Sequence, residues 1–169
     1  LCSLEVREGR VEASASIAVR AHGAVSRYLV GVPFLQRCWI DAAEAALFAL
    51  EQGARNEPRG KLLAIARQAV RRTRLLARFY PYLRGPSLYA KARLTAHTRG
   101  AAAAEPIYDR AIGALEGTPH RWELGVVLLD AARVLPHRRA ELASRARQSF
   151  EAMGAHREVA RVERLYDSG

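Results

Sequence analysis

Glycine and proline cut this chain into helix-sized pieces, and inside each piece apolar residues recur at helical spacing. The breaks fall at Gly23, at Gly31, Val32 and Pro33, at Gly53 with 56–60, at Pro81, at Gly85 and Pro86, at Gly100, at 117–119, at Pro136 and at Gly154. Between them, 37–52 sets Trp39, Ala42, Ala43, Ala46, Leu47 and Leu50 on one side. That i, i+3, i+4, i+7 pattern predicts an amphipathic helix, with Gly53 as its stop. Segment 60–80 continues with Leu62, Ala66, Ala69, Val70, Thr73, Leu76, Ala77 and Tyr80. Segments 87–99, 101–116, 119–135, 138–153 and 156–166 follow the same period, the last carrying Val159, Val162 and Tyr166. Ser87 is the expected N-cap of 87–99. Thr118 is the expected N-cap of 119–135, with Pro119 at the first helical position. Pro106 falls in the first turn or two of 101–116, where proline is tolerated. The N-terminal stretch 1–22 reads as helical in its second half, where Ile17 and Val19 lie among alanines.

Composition supports the same class. Half of the residues are apolar, dominated by Ala and Leu, and aromatics make up only 7%. Good helix formers are plentiful and β-branched residues few. Short links force sequential helices to lie antiparallel, and alanine lets their backbones approach closely. The predicted fold is all-α, a right-handed α-solenoid of antiparallel helical hairpins with about eight helices. A less regular segment, 1–36, precedes one continuous domain, 37–169. A repeat test gives Ala104, Tyr108 and Ala111 at the spacing of a tetratricopeptide second helix, with Leu88 and Ala92 in the matching first helix. Ala146, Phe150 and Met153 repeat the trio in a later hairpin.

Stretch 120–165 also resembles the end of the tetratricopeptide-like region of large bacterial signalling ATPases. Trp122, Glu123, Gly125, Leu128, Leu129, Ala132 and Arg133 match the family pattern (W/Y)-E-x-(A/G)-x-x-L-L-x-x-(A/G)-R. Ala146, Phe150, Met153, Gly154 and Ala155 match the following A-x-x-x-F-x-x-(L/M)-G-A. Upstream, Arg78, Phe79, Pro86 and Gly100 resemble its R-F…P block and mid-hairpin glycine. The resemblance covers roughly 37–166. It implies a parent protein in which an ATPase module and a cyclase, kinase or DNA-binding domain lie outside this chain. It also implies that these helices mediate protein–protein or intramolecular contacts in signal transduction. The Trp-Leu-Gly-Tyr set of typical first helices is missing, which speaks against peptide binding in a tetratricopeptide groove. The chain opens on Leu1 in mid-pattern, so a piece of a longer polypeptide is expected.

The charge is local. Net charge is +10, yet no acid lies between Glu57 and Glu105. That gap holds Arg59, Lys61, Arg67, Arg71, Arg72, Arg74, Arg78, Arg84, Lys91, Arg93 and Arg99. Arg67, Arg71, Arg74 and Arg78 are spaced four, three and four, so on a helix they share one face opposite the apolar set. Arg72 adjoins them. Like charges at this spacing cost a few tenths of a kcal/mol per pair, and no acid nearby in sequence relieves them. Three readings follow: a face solvated, or neutralised by acids from neighbouring helices such as Glu44, Glu51 or Glu105; a dock for an acidic protein partner or the parent's own catalytic domain; or a site for nucleic acid or another polyanion. Phe79, Tyr80 and Tyr82 beside the stripe could stack on bases or simply close the core. No nucleic-acid-binding motif is present.

Catalytic constellations are missing from the sequence. There is no phosphate-binding glycine loop, nucleophile elbow or kinase signature. His22, His97, His120, His137 and His156 do not pair at metal-ligand spacing. The expectation is a non-enzymatic chain with no cofactor and no metal. Cys2 and Cys38 form no disulfide or zinc framework; Cys38, beside Trp39, is expected as an inert core thiol. A reduced cytoplasmic chain fits this cysteine usage. No run nears the roughly 20 apolar residues that span a bilayer, and no signal sequence opens the chain, so no membrane partner is expected. Oligomeric state is not encoded in any feature found.

Overall fold

Alanine-rich periodic segments become α-helices. The computed structural model describes residues 9–26 and 33–167; Cys2, the break at Gly31 and Val32, and the side chain of Tyr166 lie outside them. Among the described residues there are eight α-helices and no strand. They are α1 (Val11–Ser26), α2 (Pro33–Glu51), α3 (Arg59–Leu76), α4 (Arg84–Arg99), α5 (Ala101–Leu115), α6 (Arg121–Val134), α7 (Arg139–Glu151) and α8 (His156–Asp167). Short 3-10 turns at Pro81–Leu83 and Pro136–Arg138 lead into α4 and α7. No described helix is long and apolar enough to cross a membrane.

Several helix ends differ from the sequence reading, each for a local reason. Gly23 does not break α1; it is an exposed interior position. Helix α3 stops at Leu76 rather than near 80. Tyr80 precedes Pro81 and takes φ −125°, ψ 89°, because the proline ring disfavours helical backbone in the residue before it. Ser87 is no cap: α4 begins at Arg84, and Ser87 is buried inside its first turns. Thr118 caps nothing at α6, which starts at Arg121. Its hydroxyl donates to the Leu115 carbonyl at 2.6 Å and accepts from the His120 N–H at 3.3 Å. It therefore closes α5, and Pro119 lies in the link. Gly53 and Gly154 do end α2 and α7. Both take left-handed φ, +70° and +65°, and the N–H groups of Ala54 and Ala155 reach back to the carbonyls of Ala49 and Phe150, a pairing that glycine permits at low cost.

The chain forms two compact units, dividing between Leu94 and Thr95 within α4. In the first, α1 packs on α2 and α3, and α2 packs on α3. Ala15 and Ala18 of α1 meet Ala46, Ala49 and Leu50 of α2 and Leu62, Ile65 and Ala66 of α3. Val25, Trp39, Ala43, Ala69, Val70 and Ala90 form a second core cluster. So many alanines at zero exposure mean that small side chains bring these helices close. Arg93, 7% exposed, donates Nε to Glu51 Oε1 at 3.1 Å and Nη2 to Glu51 Oε2, and its guanidinium lies over the Tyr89 ring. Glu12 of α1 ties down the α2–α3 link: its carboxylate accepts the N–H groups of Arg55 and Asn56, both at 3.0 Å.

In the second unit, α5 packs on α6, α6 on α7 and α7 on α8. Ala104, Tyr108 and Ala111 are all fully buried, as are Ala146 and Phe150. Phe150 lies against the α6 backbone at Gly125, where an added Cβ would stand 2.7 Å from its Cε1. Trp122 meets the Phe150 ring edge-on at 5.6 Å. Tyr108 Oη donates to Asp130 Oδ2 at 2.7 Å.

Candidate interaction surface

Helix α3 turns one face inward and one outward. Leu62, Ile65, Ala66, Ala69, Val70 and Thr73 are buried. Arg67, Arg71 and Arg74 are exposed on the opposite side, and Arg72 is exposed on its flank. Arg78 lies past the end of the helix. Its N–H bonds to the Leu75 carbonyl at 3.2 Å, and those of Phe79 and Tyr80 both bond to Leu76 at 2.9 Å. A tight closing turn therefore carries Arg78 just beyond the three helical arginines.

None of these five arginines makes a hydrogen bond or ion pair with a described residue. Two of the acids considered for them bond other residues. Glu51 holds Arg93, and Glu105 faces His137 at 3.0 Å and Arg138 at 3.6 Å; no ion pair links Glu44 to the stripe. The second unit handles its charge differently. Arg138 bonds Asp109 at 2.7 Å and Glu141 at 3.3 Å, Arg145 bonds Glu116 and Glu141, and Arg147 bonds Glu151 at 2.7 Å. The hydrogen bonds that Arg138 donates to Asp109 and Glu141 hold it more firmly protonated than usual. The hydrogen bond from Arg138 likewise holds Glu141 below the ordinary carboxylate range.

Apolar side chains accompany these arginines. Leu75 is 46% exposed, Phe79 73% and Tyr82 49%. Tyr80 is half-buried and meets Tyr82 edge-on at 6.1 Å. Leu83, not Phe79 or Tyr82, is the buried residue of this link. Leu75 escaped the sequence reading, although a step of 100° per residue places it between Arg71 and Arg72. Leu75 follows Arg71 by four within the helix and so lies beside the basic ridge, and Phe79 is exposed four residues further on, in the closing turn.

His22 bonds Gln68 at 2.9 Å and meets Trp39 edge-on. His120 stands 3.9 Å from Glu123. No set of three potential metal ligands converges among the described residues. Cys38 is half-buried; burial pushes its thiol pKa up, and Asp41 adds to the effect, which disfavours the nucleophilic thiolate. Compared with protein-family models, curated proteins and solved structures, the chain has no significant match to any of them.

Proposed function

We propose that this chain is a non-catalytic helical interaction module, built as a tetratricopeptide-like stack of helical hairpins within a larger bacterial signalling protein. One observation carries the reading. Five exposed arginines on and beside one helix have no acidic partner among the described residues, while Arg138 and Arg145 of the second unit bond acids across helices. A helix keeps uncompensated like charge at a small cost in stability, and an acidic partner, in trans or from the parent protein, would offset that cost. Packing of α1 on α2, α2 on α3, α5 on α6, α6 on α7 and α7 on α8, with many alanines buried, supports the solenoid reading. The purified chain should hydrolyse neither ATP nor GTP and form no cyclic nucleotide; sustained turnover in either assay refutes the proposal.

Exposure of Phe79 and Tyr82 beside the arginines favours one second reading, a site for nucleic acid. Anisotropy titrations with single-stranded and duplex oligonucleotides separate the two. Micromolar binding that persists at physiological salt, and is lost when Arg67, Arg71, Arg74 and Arg78 are changed to glutamine, establishes the second reading. Binding confined to low salt excludes it.

A further inference from the structure

Resting on the reading above, we infer that the outward face of α3 and its closing turn docks an acidic amphipathic helix, whose carboxylates pair with Arg67, Arg71, Arg74 and Arg78 while its apolar residues cover Leu75 and Phe79. Three features select this occupant. First, the ridge consists of arginine alone, whose planar fork pairs with carboxylates in a bidentate manner and desolvates more readily than lysine. Second, Arg67, Arg71 and Arg74 follow each other along the axis at about 6 and 4.5 Å. Carboxylates on a second α-helix at the same four-then-three spacing match those steps. Third, the exposed apolar group includes Leu75, an aliphatic side chain with no π face for a base to stack on, with Phe79 also exposed in the turn that follows. Arginine, aromatic and aliphatic side chains side by side are what a desolvated protein contact uses. A second copy of the chain is a poor occupant: it brings the same net charge of +10, and many acids of its second unit are held by their own arginines.

The test is an anisotropy titration of the full chain at physiological ionic strength. The probe is a labelled peptide of about four helical turns, with glutamates at four-then-three spacing and leucines along the adjoining row. A scrambled peptide of identical composition, a single-stranded oligonucleotide of about 20 nucleotides and phosphatidylserine-containing vesicles are run beside it. The patterned peptide should bind at least about tenfold tighter than its scramble. Arg71→Glu with Arg74→Glu should weaken it by more than about tenfold, and Arg71→Gln with Arg74→Gln by less. Leu75→Ala with Phe79→Ala should weaken it about fivefold. Arg157→Glu with Arg164→Glu, on the second unit, should leave binding unchanged. Circular dichroism melts confirm that each variant is folded. Equal binding of patterned and scrambled peptides, or no effect of the Leu75 and Phe79 truncations, overturns the inference by reducing the ridge to a bare polycation. Tighter binding of vesicles also overturns it. Tighter binding of the oligonucleotide overturns it and moves the proposed function to its second reading. Binding of none of the probes overturns it while leaving the non-catalytic module to stand or fall on the turnover assays.

Discussion

Two glycines inside helices of the second unit should respond oppositely to the same substitution. Gly113 in α5 is exposed, with nothing within 4 Å of an added Cβ; Gly125 in α6 is buried with its added Cβ 2.7, 2.9 and 3.1 Å from three Phe150 ring carbons. Alanine is favoured over glycine in a helix by about 1 kcal/mol, and at Gly113 that gain is unopposed, so Gly113→Ala should stabilise by about 0.5–1 kcal/mol. At Gly125 the ring must retreat by nearly 1 Å to restore ordinary carbon–carbon separation. It has little room to do so, because Phe150 is fully buried and Trp122 packs on it. Overpacking of this kind costs about 1–3 kcal/mol. The upper half of that range applies here; less the propensity gain, Gly125→Ala should destabilise by about 1–2 kcal/mol. Hydrogen exchange of α6 and α7 amides, read by mass spectrometry, localises the effect. Gly125→Ala should accelerate exchange there by about 5–30-fold, whereas Gly113→Ala should slow exchange in its unit. A Phe150→Leu background decides the cause. With the ring gone, Gly125→Ala should become neutral or stabilising. An equal penalty in both backgrounds refutes the claim that Phe150 requires glycine at this position.

Other outcomes follow from the polar contacts. Arg93→Met leaves Glu51 without its bidentate partner at the end of α2 and should cost about 2–3 kcal/mol in urea unfolding, below the roughly 3–5 kcal/mol for a fully buried pair because Glu51 keeps contact with water. A loss within about 0.5 kcal/mol, the range of an ordinary surface change, contradicts that. Tyr108→Phe removes the hydrogen bond to Asp130 and should cost about 1–2 kcal/mol by the same measurement; an unchanged unfolding midpoint contradicts it. The backbone N–H groups of Arg55 and Asn56 hold the Glu12 carboxyl below its ordinary range. The stability this provides is present above the unfolded-state value and lost as pH falls through the lower folded-state value. Wild type should therefore exceed Glu12→Gln in stability at neutral pH, with the gap closing below about pH 5; a gap that stays constant or widens on acidification rules the linkage out.

Helix identity was legible because it rests on spacing within one segment, whereas helix ends and partners depend on more. Trp39, Ala42, Ala43, Ala46, Leu47 and Leu50 share a buried face as their period predicts. Ser87 and Thr118 have the side chains of N-caps, but capping requires the backbone to bend at that residue, and here Arg84 and Arg121 begin the helices. Exposure of Phe79 and Tyr82 was not legible, because both follow Leu76, where the helical period stops applying. Leu75 was legible in principle, since angle alone sets it among the arginines. Residue type pointed to the core instead, and for a leucine at the edge of a helix the two cues conflict. The pairing of Glu51 with Arg93 spans 42 residues and depends on how α2 and α4 are rotated, which no local pattern carries. Yet the charge pattern already narrowed the outcome for the stripe. With no acid from 58 to 104, the arginines of α3 can find a partner only across helices. Once Glu51 is taken by Arg93 and Glu105 by His137 and Arg138, and no pair forms with Glu44, the ridge has no internal counterion among the described residues. Salt, or the acidic partner proposed above, would compensate it, and the exposure of Leu75 and Phe79 is the observation that favours the partner.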